Sequence, residues 1–509
     1  MSPTLSPSGQ REGASQDRQR KEMGEFRHWS RHLYNRMSSP ANLTIQVSSG
    51  YPVLRLNQFG TLTDYLPVAH ALASTLETVK YWAGQKLLNS PLHPFYLKIT
   101  GKEPVPPTFA AWLNAEAQNL VGIPVVAPLP SGYRLVLPEG ARLAPTAGFW
   151  FSQAAAESGA DLLYADEDVI RSDGRRDDPI FKPAWSPQLF SSCDYLGGAY
   201  LIRGEFEAAV ASSKIAHVPR ILFHRKAPFA YQTLEAERGV PTELISVIIC
   251  SRNPVLSADC LQAIHSTTAY RNYEIVLIDH GANMAALAER FGVAQRIPWT
   301  EEFNFARMCN AGAEASRGSL LLFLNDDTAP LDPAWMGKMA SQAVQPPNGP
   351  VGALLTYPDG RIQHAGVYIG TSNGAGHPGR LSNGSPNWPW LTMTREQSAV
   401  TGACMMLRRE VFYEAGRFDE SFPVNYNDVD LCLRCGNAGY KVILEARARV
   451  EHRESTTRKT GVRYGERQRF LEKWTGIIAR GDHYWSPNLT DNELLLPDPE
   501  AFARVQRWR

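Results

Sequence analysis

The stretch Ser319-Leu-Leu-Leu-Phe-Leu-Asn325-Asp326-Asp327-Thr328-Ala-Pro330 decides how this chain is read. Five apolar residues, Leu320 to Leu324, run straight into an amide and two carboxylates. An unbroken apolar run this short suits a strand buried on both faces, as in a parallel sheet covered by helices. Asp332-Pro333 then reads as a helix start, with Asp as the cap and Pro in the first turn. The acids are thus expected at the carboxyl end of a central strand, where open α/β sheets place their ligands. Adjacent carboxylates repel one another unless a cation holds them, and hard oxygen ligands suit Mg²⁺ or Mn²⁺. For the stretch alone, a plain polar turn is the competing reading, because Asn and Asp favour turns.

The 509 residues are 43% hydrophobic and 20% charged, a globular balance with room for about two to four domains. A net charge of +1 offers no global attraction to nucleic acid. No apolar run approaches the roughly 20 residues that span a bilayer, and the first residues lack the apolar centre of a signal peptide. A cytoplasmic protein is expected. Seven cysteines, an odd number scattered along a long chain, do not make a disulfide framework. Cys432 and Cys435 lie inside a helical pattern and read as buried apolar side chains.

Residues 1–40, rich in Ser, Gln and Arg, read as a disordered basic tail. Its basic-aromatic end around Phe26 to Arg31 could rest on the inner face of an anionic membrane, a peripheral contact. Residues 41–240 alternate short strands and helices: Leu43 to Val47, a helix over Leu72 to Leu88, Phe95 to Ile99, Arg134 to Leu137, a helix over Gly148 to Ser158, and Asp161 to Asp168. Such alternation argues for an α/β sheet domain. Residues 241–480 repeat the pattern more cleanly. Ile245 to Ile249 is a buried strand ending at Ser251-Arg252-Asn253, a helix covers Ala258 to Thr267, and Tyr273 to Ile278 ends at Asp279. Helices over Met284 to Phe291 and Phe305 to Ala315 precede the acidic strand. Ser398 to Leu407 reads as a strand opening with small residues, which let a ligand approach the backbone. Leu431, Cys432 and Cys435 follow Asp428 on one helical face, so Asp428 is expected to point inward and Asp430 away. Lys441 to Leu444 reads as a last strand, with His452 beyond it. Residues 481–509 form a C-terminal extension. Neither a GxGxxG nor a P-loop pattern is present, so any phosphate must be met by a metal.

From Leu244 to about Thr490 the chain resembles the inverting GT-A glycosyltransferases of family 2, especially two-lobed bacterial enzymes of O-antigen and related polysaccharide synthesis. The resemblance rests on motifs in order: the opening strand, Asp279, Asn325-Asp326-Asp327, Thr401-Gly402-Ala403, Asn427-Asp428-Val429-Asp430 and His452-Arg-Glu-Ser455. It implies two tandem GT-A lobes, the N-terminal one degenerate, and a nucleotide-diphosphate sugar donor, with rhamnose as the sugar the family suggests. The implied acceptor is a glycan or lipid-linked glycan.

By the same resemblance Asp327 and His452 bind Mn²⁺ or Mg²⁺, and Asn325, standing where the family has its first Asp, contacts the ribose. Asp279 reads the base edge, Ser251 and Arg252 cradle the base, and Asp326 and Gly402 lie beside the donor. Asp428 matches the base that deprotonates the acceptor in a single displacement. Asn427 stands where the family often has Glu, which removes a like charge beside that base. In the N-terminal half, Pro138-Glu139-Gly140-Ala141 occupies the place of the metal motif. Only Glu205 and Glu207 remain between Arg203 and His217, so that lobe is expected to lack transfer chemistry. The acids Asp166, Glu167 and Asp168 are expected to serve hydrogen bonding or lobe packing. The competing functions are a sugar nucleotidyltransferase, which has no need of Asp428 as a base, and a glycan-binding or scaffolding pseudoenzyme.

Overall fold

The computed structural model describes the paired strands at 43–48 and 51–56, and residues 109–499 apart from 121–122, 125–126, 232–233, 235–238, 372, 454–463 and 491–494. The expected tail, the helix over Leu72 to Leu88 and the strand Phe95 to Ile99 lie outside the described residues. The chain divides into two units, Met1–Val105 and Pro106–Arg509. In the first, β1 (Leu43–Ser48) and β2 (Tyr51–Leu56) pair antiparallel.

The second unit is α/β, the expected class, and among the described residues carries a six-stranded and a ten-stranded sheet beside a two-stranded hairpin. The smaller comprises β3 (Arg134–Val136), β4 (Arg142–Leu143), β5 (Leu162–Ile170), β6 (Arg176–Ile180), β7 (Tyr200–Ile202) and β8 (Ile215–Arg225). Its order is β3-β7-β5-β8-β4, with β6 on β5. The larger opens with β9 (Ile245–Ser251), β10 (Tyr273–His280), β11 (Gln295–Trp299) and β12 (Leu320–Asn325). It continues through β13 (Thr328–Pro330), β14 (Asn348–Thr356) and β15 (Ile362–His364). After a separate hairpin of β16 (Tyr368–Ile369) and β17 (Ala375–Gly376), it closes with β18 (Arg395–Gln397), β19 (Cys404–Arg408) and β20 (Lys441–His452). The order is β11-β10-β9-β12-β19-β14-β20-β13, with β15 on β14 and β18 on β20.

The small sheet repeats part of the large one. In chain order β3, β4, β5, β6, β7 and β8 follow the path of β12, β13, β14, β15, β19 and β20. Every pairing sense agrees: β5 is parallel to β8 as β14 is to β20, and β7 is antiparallel to β3 and β5 as β19 is to β12 and β14. The edge strands agree in sense too: β4 is antiparallel to β8, with Arg142 facing His224, as β13 is to β20, with Thr328 facing His452.

The run Leu320 to Leu324 behaves as a doubly buried strand. Leu321 and Phe323 enter one core with Ile248, Val276 and Ile278, whereas Leu322 and Leu324 enter the opposite core with Val247, Ile249 and Leu277. The sheet is mixed, not parallel throughout: β12 runs parallel to β9 but antiparallel to β19. The helix after the acids begins at Trp335, later than expected. Thr328–Pro330 first forms a short strand on β20, and the Asp332 carboxylate then accepts the Ala334 N–H at 2.9 Å. Conversely, the helix after β9 starts early, at Pro254, because Asn253 caps it. The expected strand from Ser398 is confined to Cys404–Arg408, and β20 extends through His452, which thus stands on the strand.

The helix Phe305–Ala315 lies close on the sheet at Gly312, where an added Cβ would stand 2.5 Å from Ile248 Cγ2 and 3.3 Å from Ile278 Cδ1. Gly312→Ala is expected to destabilise the protein by about 1–3 kcal/mol through overpacking, read as a lower urea midpoint with unchanged slope.

A third core joins the sheets, with Trp112, Tyr164, Phe181 and Tyr195 packed among Leu354, Trp388, Trp390 and Leu444. The acids of β5 serve this junction. Asp166 accepts from the Lys182 N–H and from Asn488 Nδ2, both at 2.8 Å. Glu167 is buried against Lys182 Nζ at 2.9 Å and Arg225 Nε at 2.6 Å. Burial pushes that carboxyl up, but the two cations outweigh it and hold it below the ordinary range. Asp168 meets Arg176 and His224, each at 2.5 Å.

Candidate active site

The site is built at the carboxyl ends of β9 and β12, from loops that the strands aim to one side. Asn325 ends β12, and its N–H donates to Ala403 O at 2.9 Å, which fixes the turn of Asn325-Asp326-Asp327 beside the segment Thr401–Ala403. Thr328 Oγ1 closes the turn from below on Asn325 O at 2.8 Å. Ser251, at the end of β9, donates its hydroxyl to Asp326. Burial pushes the Asp326 carboxyl up to about 6, with the Ser251 hydrogen bond opposing and the charge of Asp327 adding to the rise. A carboxyl displaced so far is one that favours a neutralising neighbour.

Asp327 and His452 come together across the β13–β20 pairing, with Oδ1 to Nε2 at 3.1 Å and both side chains less than a tenth exposed. Asn325 Nδ2 is 3.3 Å from the same ring nitrogen, and the Arg453 N–H donates to Asp327 O at 3.0 Å. Among the described residues no cluster of three or more His, Cys, Asp or Glu side chains is arranged to hold a metal. Asp327 and His452 supply one hard oxygen and one imidazole. That is a fit for Mn²⁺ or Mg²⁺ completed by substrate phosphates and water, the usual habit of such ions in phosphate sites.

Asp428 begins the helix Asn427–Asn437 and is half-buried. Its Oδ2 accepts the Gly402 N–H at 2.8 Å and the Thr401 hydroxyl at 3.2 Å, and its Oδ1 accepts the Val429 N–H at 2.9 Å. The acids after β12 and the acid of this helix thus share one three-residue segment, Thr401–Ala403. Gly402 lies against the acid, and a Cβ there would stand in ordinary van der Waals contact with Asp428 Cβ at 3.4 Å. Asn427 is buried, donating to Phe422 O at 3.2 Å.

Asp430 departs from expectation. It points inward and is fully buried, bound by Lys473 Nζ at 2.7 Å, Arg434 Nε at 2.8 Å and Trp474 Nε1 at 3.0 Å. Helical spacing predicted its exposure. The packing of a later helix on this side of Asn427–Asn437 overrides that.

The other predicted residues are placed as follows. Asp279, next to last in β10, has no exposed surface and accepts from Arg296 Nη1 at 2.6 Å, Met284 N at 2.9 Å and Asn283 N at 3.1 Å. It holds the 281–284 turn in this conformation. Arg252 is exposed beside Ser251. His364 was not foreseen. It is fully buried on β15, and its Nε2 accepts from the N–H groups of Gly366 at 3.3 Å and Thr401 at 3.4 Å. Burial holds its ring well below the ordinary histidine range, so it is neutral and keeps Nε2 as an acceptor behind the Asp428 segment. Nothing in Gln363-His364-Ala365 distinguishes it from a core histidine.

In the small sheet, the loop Pro138–Ala141 joins β3 to β4 where Asn325–Asp327 joins β12 to β13. The helix Phe206–Ser212 follows β7 as the short helix Arg409–Glu414 follows β19, and β8 begins three residues beyond it; Glu205, its cap, and Glu207 are exposed. Arg225 reaches inward to Glu167 Oε1 at 2.6 Å and to Gly197 O at 2.7 Å.

Residues 246–416 match the family described as Glycosyl transferase family 2. The O-antigen biosynthesis protein RfbC of Myxococcus xanthus is 31% identical over 406 residues, 65% of this chain and 31% of that protein. The uncharacterized protein y4gI of Sinorhizobium fredii is 30% identical over 431 residues, 68% of this chain and 47% of that one. An N-acetylglucosaminyl-diphospho-decaprenol L-rhamnosyltransferase of Mycobacterium tuberculosis is 29% identical over 119 residues, 22% of this chain and 39% of that protein. The chain spans about a third to a half of the length of these relatives. Over residues 246–416, on the larger sheet, the chain carries a glycosyltransferase domain of family 2.

Proposed function

We propose that this domain is a metal-dependent inverting glycosyltransferase, which moves a sugar from a uridine or thymidine diphosphate donor to a glycan acceptor in surface-polysaccharide synthesis. One observation carries the reading: Asp428 and the Asn325–Asp327 turn are both hydrogen-bonded to Thr401–Ala403, which brings the base and the diphosphate site to one small-residue segment. The likeness to RfbC and to the mycobacterial rhamnosyltransferase supports the polysaccharide context and a rhamnosyl donor.

In this mechanism Asp428 takes the proton of the acceptor hydroxyl as that oxygen attacks the anomeric carbon and the diphosphate leaves from the opposite face. Hydrogen bonds from Gly402, Thr401 and Val429 hold the carboxylate in one orientation, which keeps the base within reach of the attacking oxygen. Asp327 and His452 would hold the divalent cation, which when bound neutralises charge growing on the leaving diphosphate. Ser251 and Arg252 lie where the nucleoside would rest. The acceptor is a glycan, free or lipid-linked. No helix among the described residues is long and apolar enough to cross a membrane, so a lipid-linked acceptor would be met from the surface.

Thermal-shift titration of UDP- and dTDP-sugars with and without Mn²⁺ tests the reading, because a specific donor stabilises the fold by mass action. A donor that stabilises only with Mn²⁺ and then releases nucleoside diphosphate on addition of glycan is the expected result. Metal-independent stabilisation by every donor would overturn it. Isothermal titration of the full chain is expected to find one donor site, not two, because Pro138–Ala141 offers a single carboxylate. Two metal-dependent sites would show the small sheet to be a second working centre.

A further inference from the structure

The segment that carries Asp428 is held from one face of a helix outside the site. Resting on the assignment of Asp428 as the base, we propose that the helix Tyr464–Lys473 is a positioning clamp, acting through Glu466, Phe470 and Lys473 on the residues either side of Asp428. These three, with Trp474, recur at four-, seven- and eight-residue intervals and so share one helical face.

Glu466 is buried and accepts the N–H groups of both Val424 at 3.0 Å and Asn425 at 2.5 Å, which anchors the chain just before the turn into the catalytic helix. Tyr426 then enters the left-handed region at φ +63°, a conformation that a β-carbon disfavours. Its ring lies flat on Phe470, with centroids 4.5 Å apart and planes 15° apart, and its hydroxyl donates to Asn373 O at 2.9 Å. Beyond Asp428, the buried Asp430 is bound by Lys473 and Trp474, and Lys473 also reaches Asp419 at 2.8 Å.

Asp428 is therefore bracketed. Two residues before it the backbone is in an unfavourable conformation stabilised by Phe470, and two residues after it a carboxylate is locked by Lys473 and Trp474. A strained turn persists only where its surroundings over-determine it. Here those surroundings come from a helix that need not touch the sugar. If the helix lets go, Tyr426 is free to relax and the carboxylate of Asp428 turns with it, while the donor side at Asp327 and His452 is unchanged.

The test compares Phe470→Leu and the milder Lys473→Gln with the parent chain, using nucleoside diphosphate release from a panel of UDP- and dTDP-sugars with Mn²⁺, and hydrogen exchange across residues 424–431. Both variants are expected to keep donor KM within about twofold, to lose about tenfold or more in kcat, and to speed exchange at 424–431 but not in β12. Adding Tyr426→Gly to Phe470→Leu is expected to recover part of kcat, because glycine adopts positive φ without the stacked ring. Parent-like kcat and exchange in both variants would overturn the clamp. So would equal losses in kcat and donor affinity without rescue, which is the mark of a structural helix. Asp428→Asn, run in parallel, separates the two claims. If it is inactive while Phe470→Leu is parent-like, only the clamp fails. If it turns over normally, the base assignment fails and takes the clamp's purpose with it.

Discussion

Replacing Asp428 with asparagine is expected to lower turnover by roughly 10³-fold, within the 10²–10⁴ range of positioned proton transfer, while donor affinity stays within about threefold. The base acts only as the acceptor hydroxyl attacks, so its loss falls on kcat and not on ground-state binding. The substitution is nearly isosteric but removes acceptors. Asp428 takes the N–H groups of Gly402 and Val429 on different oxygens, and an amide satisfies only one of them. A stability loss of about 1 kcal/mol is expected from the donor left unpaired. Steady-state kinetics with a donor titration checks the split, and a variant with parent-like turnover would show that the base lies elsewhere, with Glu451 the next acid along β20.

Asp327→Ala is expected to weaken Mn²⁺-dependent donor binding by more than about 100-fold and leave the protein folded. The backbone of the turn survives, since its bonds run from Asn325 N to Ala403 O and from Arg453 N to Asp327 O and involve no side chain of residue 327. Removing that charge also relieves the repulsion felt by Asp326, whose carboxyl burial and this neighbour together push up to about 6. The metal-free variant should therefore unfold no earlier than the parent. Thermal shift with donor and Mn²⁺ is the check: stabilisation in the parent and none in the variant is expected. An equal shift in both would remove Asp327 from the metal site.

The two variants also show how far a local reading carries. Both acids could be picked out in the chain because each follows a strong one-dimensional signal. Asp327 ends an apolar run, and Asp428 opens a stripe continued by Leu431, Cys432 and Cys435, all fully buried. Asp430 was misjudged by the same helical rule, since one helix cannot report which later helix will pack on its far side. His364 gave no signal at all, because its role depends on Thr401, 37 residues away.

What the sequence determined by itself is the framework around the site, β9, β10, β12 and the helices between them, and the order of the acids. Apolar runs, the Asn253 cap and the turn residues act over a few residues, where hydrophobic burial and backbone geometry allow few alternatives. The α/β class, the doubly buried β12 and the end at which the acids sit follow from those. Tertiary structure alone decided the mixed direction of the sheet, because β19 enters antiparallel between β12 and β14 after a long excursion. It also paired His452 with Asp327, which are 125 residues apart and adjacent only because β13 crosses to the far edge of the sheet and lies against β20. The repeat of the strand path in β3 to β8, which the family resemblance implied, was traced strand by strand only in three dimensions, because hydrogen-bonded pairing keeps the path of a sheet while the residues of its loops change.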